Sequence, residues 1–185
     1  MIRYEKITED DLEAIVSFYQ RYLNSGDYMK EQLQREILRK DFRGYKAIDG
    51  ETAVGFCYGK DGLELTYPHE ELEAHVLEAA KNHKVHYVDA MVIDEGYRNR
   101  GISAELVRLY KEELIKDGYD ATFGEIWIYP DGRMPSHRPM TGFGKAFWEY
   151  EEPYFYKDLG RYGLTCPICG ANCICGAKLT LYNIE

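Results

Sequence analysis

The hydrophobic and polar residues of the first forty positions predict one strand followed by two helices. Residues 1–8 alternate as a strand does, and the spacing of Thr8 and Asp11 behind them resembles a capping box at a helix start. Apolar residues then recur every three or four positions, which indicates an amphipathic helix that ends at "NSGDY". Residues 29–42 have a second helical pattern. The apolar face of the first helix consists of Leu12, Ile15, Val16, Tyr19 and Leu23.

The next fifty residues predict a group of strands, a helix and a buried strand. Asp49-Gly50 joins two strand-like runs and is typical of a hairpin turn. A second Asp-Gly pair at 61–62 precedes "LELTY", so this region contains two or three strands. Residues 69–83 have helical periodicity, and "KVHYVDAMVI" is apolar enough for a half-buried or fully buried strand.

The second half begins with a helix and ends in a cysteine-rich segment. After "IDEGYRNRGIS", residues 104–118 place apolar side chains on one helical face, and "DATFGEIWIYP" predicts a strand. A loop follows with a helix start at Ser136. Residues 143–160 are aromatic and are predicted to be partly helical, with a break at Pro153. The end of the chain predicts two short strands around a cysteine cluster. No internal repeat or long linker divides the chain.

The segment from 93 to 103 has the composition of a phosphate-binding loop. A strand ends there, arginines flank an asparagine, and a glycine opens a helix. The start of a helix has unpaired backbone N–H groups and the positive end of the helix dipole. A glycine lets backbone amides converge on an anion, and arginines add charge-assisted hydrogen bonds. The pattern therefore predicts a site for a phosphorylated ligand.

Composition narrows the function classes. The chain has 185 residues, a net charge of −9 and 30% charged residues, which indicates one folded domain with no low-complexity segment. The N-terminal segment has no apolar core of a signal peptide, and no stretch is apolar enough to span a membrane. We therefore expect a soluble cytoplasmic protein without a membrane partner. The negative charge argues against a nucleic-acid partner, because phosphate neutralisation requires a basic face. The net negative charge either keeps the protein soluble or attracts a cationic amine towards a binding site.

Four cysteines near the C-terminus indicate a metal site. They lie within "CPICGANCICG", and glycines after two of them allow tight turns that aim the sulfurs inward. In a reducing compartment, four thiols so close in sequence are more often metal ligands than disulfides. Structural zinc is the predicted occupant, with reduced thiols and a disulfide as the alternatives. The fifth cysteine, Cys57, is interpreted as a buried hydrophobic residue. The predicted ligands are Cys166, Cys169, Cys173 and Cys175.

The order of elements and the loop motif together resemble the GNAT superfamily of N-acetyltransferases. The family loop reads Arg/Gln-x-x-Gly-x-Gly/Ala, and residues 98–103 read Arg-Asn-Arg-Gly-Ile-Ser. Tyr97, the "AMVI" strand and the hairpin "DGETAVGF" are also similar to the family, although Ser103 and Glu95 depart from its pattern. The resemblance implies an α/β (α+β) fold: a GNAT-like mixed, mostly antiparallel sheet flanked by helices. Residues 1–185 would form one such domain, with a zinc-knuckle-like hairpin, a four-cysteine zinc hook, at about 163–180.

The resemblance also implies acetyl-CoA as co-substrate and a set of residues that bind it. The strand Met91-Val92-Ile93 would separate from its neighbour after about residue 123 and pair with the pantetheine arm, with one strand N–H polarising the thioester carbonyl. Backbone amides of the loop and its arginines would bind the pyrophosphate. The loop residues are Arg98, Asn99, Arg100, Gly101, Ile102 and Ser103.

The amine acceptor must lose a proton, and the departing thiolate needs an acid. Glu125 is the predicted base because a charge inside an apolar strand calls for a reason, although it could equally face solvent. Tyr156, in "FYKDLG", matches the family's tyrosine and is the predicted acid. A competing alignment places Trp148 at that position and leaves no acid, and packing alone could explain Tyr156. His137 and Arg138 are candidates for lining the acceptor pocket.

Two functions of different classes remain at this point. The first is acetyl transfer to a primary amine of an unidentified small molecule or protein. The second is a non-catalytic module that binds acyl-CoA or contacts a macromolecule through its zinc hook. A homo-oligomer is compatible with both.

Overall fold

The computed structural model describes residues 1–63, 65 and 69–184, and within them seven strands form one sheet. The sheet order is β1-β2-β3-β4-β5-β7-β6, and every neighbouring pair is antiparallel except β4 and β5, which are parallel. The strands are β1 (Ile2–Lys6), β2 (Arg43–Asp49), β3 (Thr52–Asp61), β4 (Val85–Ile93), β5 (Ala121–Ile128), β6 (Ala146–Glu152) and β7 (Gly176–Asn183). The α-helices are α1 (Leu12–Tyr22), α2 (Met29–Ile37), α3 (Glu70–Ala80), α4 (Ile102–Lys116) and α5 (His137–Met140).

Two apolar cores lie on opposite faces of the sheet. One face packs against α1, α2 and α3 and against the segment between β6 and β7, with Phe56 and Leu179 fully buried at its centre. The other packs against α4, whose Leu106 and Leu114 contact residues of the central strands. Because α4 joins the parallel pair β4 and β5, it covers the sheet next to the predicted loop. Among the described residues, no helix is both long and apolar enough to cross a bilayer.

The predicted order of elements is confirmed up to β5. Residues 64 and 66–68 lie outside the described residues, so the prediction for "LELTY" concerns a segment only partly described. Asp11 accepts a hydrogen bond from the Thr8 N–H at 2.8 Å, as a capping box requires. The hairpin at Asp49-Gly50 joins β2 and β3.

The prediction of partial helix for residues 143–160 is wrong for residues 146–152, and the helical structure in this range is the start of a short 3-10 helix, Leu159–Tyr162. Residues 146–152 form β6, which pairs with β7 at the edge of the sheet. Aromatic residues suit a half-buried pleated surface, and the long-range pairing with β7 outweighs local helical preference. Trp148 lies on β6, so the competing alignment of that tryptophan with a catalytic helix is also wrong.

The cysteine segment contains one long strand, not two short ones. β7 follows the cysteines, whereas the residues before them contribute only a bridge between Thr165 and Ser25. The backbone of Cys166 pairs with Gly170 in a tight turn instead, and Gly170 has a φ of 77° that favours glycine. The backbone N–H and C=O groups of Cys166 and Gly170 bond to each other in this turn, so they are not available to pair with a neighbouring strand.

A buried polar cluster lies between β4 and α4. The His86 ring is fully buried, its Nε2 lies 2.7 Å from the Tyr110 hydroxyl, and its Nδ1 lies 3.2 Å from Asp61 Oδ1. The Tyr119 hydroxyl donates to the same carboxylate. Burial lowers the pKa of His86 from 6.5 to about 4, although Asp61 acts in the opposite direction. His86 is therefore neutral in the folded protein at pH 7.

The free energy of unfolding should decrease as the pH falls from about 6.5 to about 4. In that window the unfolded state takes up the His86 proton and the folded state does not, whereas above pH 6.5 neither state does. The loss reaches about 3 kcal/mol at most. Denaturant unfolding at pH 7.5 and 5 should show a weaker pH dependence for His86→Gln than for the wild type. His75→Gln, on the exposed face of α3, should keep the wild-type dependence; equal slopes in all three proteins would contradict the assignment.

Candidate functional site

The two parallel strands separate halfway along their length and open a wedge in the sheet. Backbone pairing between β4 and β5 ends with Val88 opposite Gly124, and no further pair joins the two strands in the described part of the chain. Beyond this point β4 stays paired with β3, and β5 stays paired with β7. Asp89 and Glu125 are therefore the first residues on either side of the wedge. Glu125 points to the same sheet face as Phe123, whose ring lies 5.5 Å from that of Tyr87. Asp89 sits at a shift in the register between β3 and β4.

A cavity of about 930 Å³ occupies the wedge. This volume lies within the range of ligand pockets in proteins. The end of α1, the second half of β4, the start of α4, the end of β5 and the segment through α5 form its walls. Eight of the nine predicted cofactor-binding residues line it: Met91, Val92, Ile93, Arg98, Asn99, Gly101, Ile102 and Ser103.

The loop before α4 has the backbone conformation of an anion-binding turn. Asn99 and Gly101 both have positive φ, 61° and 80°, and Gly101 is the N-cap of α4. The first helical amides, those of Ile102 and Ser103, have no acceptor in a preceding turn, because the first N–H groups of any helix lack intrahelical partners. A β-carbon on Gly101 would meet nothing within 4 Å. Because Gly101, Ile102 and Ser103 all line the cavity, a ligand there can reach this helix start.

The two predicted arginines differ in their placement. Arg98 lines the cavity, donates its Nε–H to the Ile93 carbonyl at 3.1 Å and lies over the Tyr22 ring. These contacts hold the guanidinium in the cavity wall, beside the end of β4. Arg100 is exposed, its guanidinium lies over the Tyr97 ring, and it is not part of the cavity wall. Of the two arginines, Arg98 is the better placed for a ligand in the cavity.

The two predicted catalytic residues contact each other. The Tyr156 hydroxyl donates a hydrogen bond to Glu125 Oε1 at 2.7 Å, across 31 positions of sequence. Glu125 is half-buried and lines the cavity, so it does not face bulk solvent as an ordinary strand residue would. Tyr156 is fully buried beneath it against Trp127, with ring centroids 4.9 Å apart. This geometry favours a role for Tyr156 in holding Glu125 over direct proton donation into the cavity.

The wall of the cavity at the end of α1 contains residues that were not predicted from the sequence. Tyr19, Tyr22, Asn24 and Asp89 line it. Asn24 is only 6% exposed, and its Oδ1 has no hydrogen-bond partner among the described residues. Asp89 sits inside an apolar strand, as Glu125 does, so the same argument from sequence applies to it. For Asn24, no signal in the sequence marks the burial that tertiary packing imposes.

Charge is distributed unevenly along the cavity. Asp89 and Glu125 place two carboxyl groups at the split between the strands. On the side formed by α4 and α5, cations outnumber carboxylates: Glu112 lies there, and so do Arg98, Arg108, Lys111 and Arg138. A ligand with phosphates at one end and an amine at the other would match this distribution. Tyr22 and Tyr129 stay protonated at neutral pH, because burial raises the pKa of each.

The polar loop after β5 contributes one of its two candidate residues to the site. Arg138 lines the cavity, and His137, in the same short helix, is not among the lining residues. Ser136 precedes α5 as its N-cap residue and also lines the cavity, which agrees with the predicted helix start.

The four predicted metal ligands converge. Their sulfur atoms all lie within 4.8 Å of one another, and the Cys169 and Cys175 sulfurs are 3.5 Å apart. The Ile168 N–H points at Cys166 Sγ (3.4 Å), and the Cys175 N–H points at Cys173 Sγ (3.5 Å). Cys57 is buried far from this cluster in the core on the α4 side of the sheet.

The donor set fits a tetrahedral metal ion. Zinc–sulfur bonds of about 2.3 Å place the sulfurs of a tetrahedron roughly 3.8 Å apart, so small side-chain shifts would close this cluster around an ion. Burial raises the pKa of Cys173 to about 12 and raises that of Cys175 above its ordinary value. Without a cation these two thiols keep their protons, and zinc binding would release those protons. Backbone N–H groups directed at the sulfurs would stabilise the resulting thiolates.

Comparisons with known proteins agree with this geometry. A family model described as acetyltransferase (GNAT) family matches residues 9–140. No curated protein matches the chain in sequence. Among solved structures, Arabidopsis thaliana NAA60 in complex with acetyl-CoA superposes with a TM-score of 0.67 at 16% identity, covering 100% of this chain and 99% of that one.

Two microbial structures share the same fold. The ribosomal-protein-S18-alanine N-acetyltransferase from Escherichia coli has a TM-score of 0.61 at 11% identity, with 100% of this chain and 95% of that chain covered. Ard1 from Thermoplasma volcanium has a TM-score of 0.64 at 14% identity, with 100% and 98% covered.

Proposed function

The chain belongs to the GNAT acetyltransferase family, and on this basis we propose that it transfers the acetyl group of acetyl-CoA to a primary amine of a small molecule or protein. The observation that carries the proposal is the wedge: a split parallel pair, an anion-binding helix start and a hydrogen-bonded carboxylate share one cavity. The acetyl-CoA bound in the Arabidopsis NAA60 structure supports the same co-substrate here.

Acetyl-CoA supplies the acetyl thioester, and the residues on the α4 side of the wedge would hold it. Backbone amides at Gly101, Ile102 and Ser103 would bind phosphate oxygens, with Arg98 adding positive charge. Arg100 would contribute only from outside the cavity. The unpaired edge of Met91–Ile93 would take hydrogen bonds from the extended pantetheine arm, as an added strand does. An N–H of the same edge would stabilise negative charge on the carbonyl oxygen.

Glu125 would act on the amine. The acceptor nitrogen forms a bond to the acetyl carbon, the carbon–sulfur bond breaks with its electron pair going to sulfur, and the nitrogen loses one proton. Glu125 takes that proton, directly or through water. Tyr156 donates to the carboxylate at 2.7 Å, which holds it in place and favours its ionised form. Because Asp89 lies across the wedge, an amine that enters as a cation would meet two carboxyl groups there. Such a cation first releases one proton to solvent and attacks as the neutral amine, and the departing thiolate takes a proton from solvent.

We also propose that the four cysteines bind one structural zinc ion. The converging sulfurs support this assignment, and four protein ligands leave no position for a water or substrate. The cysteines and the sheet share one apolar core, which supports one domain over residues 1–185 that includes the hairpin at about 163–180. A reducing cytoplasm would keep the thiols available. Elemental analysis of protein purified without added metal should give close to one zinc per chain.

Titration calorimetry and a thiol-release assay test the acetyl transfer. We expect acetyl-CoA to bind with one site per chain, and free CoA to appear with at least one amine in a panel of alkyl monoamines, diamines, amino acids and short peptides. Acetyl-CoA hydrolysis without amine is the control. Tight binding without CoA release on any amine would contradict the proposal and favour a non-catalytic binding module.

A further inference from the structure

The cysteine cluster is joined to the active-site cavity on its acceptor side by two short routes. The first passes through Thr165, the residue before Cys166. Thr165 and Ser25 exchange two backbone hydrogen bonds, Ser25 N–H to Thr165 O at 3.1 Å and Thr165 N–H to Ser25 O at 2.9 Å. Ser25 directly follows Asn24, which is almost fully buried and lines the cavity. One residue on each side therefore separates a metal ligand from the cavity wall.

The second route leads to the proposed base. The Tyr156 N–H donates to the Cys175 carbonyl at 3.3 Å, and the Tyr156 hydroxyl donates to Glu125 at 2.7 Å. Tyr156, Cys166, Cys173 and Cys175 belong to the same buried cluster. The position of the Glu125 carboxylate thus depends on a backbone carbonyl of a cysteine ligand, with one tyrosine in between.

Further contacts fasten the chain after α1 to the same support. The Tyr28 hydroxyl donates to the Tyr162 carbonyl at 2.9 Å. A β-carbon on Gly26 would come within 2.8 Å of Leu164, so the chain after α1 packs against this segment without room for a side chain. We define the acceptor wall as residues 23–25 with Tyr156 and Glu125. Residues 23–25 pack against the segment between β6 and β7, and Tyr156, which belongs to that segment, holds Glu125.

That segment has little regular structure of its own. Between Glu152 and Gly176, the described secondary structure is one short 3-10 helix, Leu159–Tyr162, and two isolated bridges. A chain without strand or helix partners must be ordered by side-chain packing or by a cross-link, because its conformational entropy opposes ordering. Four thiolates on one ion supply such a cross-link. The phosphate-binding loop is held by different contacts. It begins α4, whose buried face packs into the core on the opposite side of the sheet, and its Arg98 contacts Ile93 and the Tyr22 ring of α1.

We propose that the four-cysteine metal centre positions the acceptor wall, so that metal occupancy controls the binding and deprotonation of the acceptor amine but not the binding of acetyl-CoA. Ser25, Thr165 and Cys175 act as positioning residues through their backbone groups. The kinetic part of this inference rests on the proposed acetyl transfer, whereas the structural part can be measured without an acceptor.

Metal removal and restoration test the structural part. The chain has two tryptophans, and Trp148→Phe leaves Trp127, which lines the cavity and contacts the Tyr156 ring, as the single reporter. We expect a chelator to shift Trp127 emission to the red and to speed amide hydrogen exchange at Ser25, Tyr156 and Thr165. Added zinc should reverse both changes. Calorimetry should give acetyl-CoA dissociation constants for the zinc-bound and the metal-free protein that agree within twofold.

The kinetic part uses the most active amine from the panel. Metal-free protein should show a KM for that amine raised about tenfold or more, with a lower kcat, and zinc should restore both values. Thr165→Pro removes one bond to Ser25 without touching a cysteine, so it should keep one zinc per chain and raise the same KM several-fold. Thr165→Ala retains the backbone N–H and should stay within twofold of the wild type.

The outcomes separate this inference from the proposed function. If no amine is acetylated, acetyl transfer fails, while Trp127 emission and hydrogen exchange still report on the wall. Protein that binds no metal would overturn the inference. So would emission and exchange that are unchanged by metal removal, an acetyl-CoA dissociation constant that changes as much as the amine KM, or a Thr165→Pro variant with wild-type KM.

Discussion

Replacing Glu125 with glutamine should lower kcat by about 10²- to 10⁴-fold, the usual contribution of a positioned proton acceptor. Glutamine keeps the shape of the side chain and can still accept the Tyr156 hydrogen bond, so only the ability to take a proton is lost. Binding of acetyl-CoA should stay within twofold, because the proposed phosphate contacts lie at the start of α4. Steady-state kinetics with the best amine of the panel, together with calorimetry, measures both effects.

A second variant, Tyr156→Phe, tests how Tyr156 contributes to catalysis. Tyr156→Phe removes a donor to the ionised carboxylate, which raises the pKa of Glu125 and moves the acid limb of the pH–rate profile to higher pH. If the phenol instead protonated the thiolate directly, the alkaline limb would change and the acid limb would not. Glu151→Gln, on the exposed edge strand β6, is the matched carboxylate control and should leave kcat unchanged. Full activity in Glu125→Gln would mean that another group is the base.

The parts of the fold that local patterns encode were predictable from the sequence. The helical face of α4, the hairpin at Asp49-Gly50 and the cap at Thr8 each depend on residues within a few positions of one another. β6 was not predictable in this way. Its strand conformation depends on pairing with β7, about thirty residues later, which overrides the helical preference of a Glu-rich aromatic segment.

In the candidate site, too, local features were predictable from the sequence and long-range contacts were not. The loop before α4 was recognisable because its chemistry is contiguous, and the cysteine cluster because its ligands lie within ten residues. The bond between Tyr156 and Glu125 joins distant strands and segments, so the sequence offered two candidate residues but not their contact. Asn24 and the bridge from Ser25 to Thr165 had no local signal, since their importance depends on which segments the fold places side by side.

Replacing Gly101 with valine should raise the dissociation constant of acetyl-CoA by about 10- to 100-fold, through two physical effects. Gly101 has a φ of 80°, a conformation that costs a residue with a β-carbon about 1–2 kcal/mol and is worst for β-branched side chains. The structure has open space where the side chain would go, since a β-carbon meets nothing within 4 Å. In the proposed complex that space holds the phosphates, so valine would keep them from the backbone amides.

Gly118 provides a matched control for the conformational cost. It lies just beyond the other end of α4, has a φ of 76°, and its β-carbon would also meet nothing within 4 Å. Gly118→Val should therefore lower the melting temperature by about as much as Gly101→Val, because both impose the same backbone strain on one helix. Only the change at position 101 should weaken acetyl-CoA binding. If calorimetry gave the same acetyl-CoA dissociation constant for both variants and the wild type, the helix start would not be the phosphate site. The role of Arg98 would then be limited to its contacts with Tyr22 and Ile93.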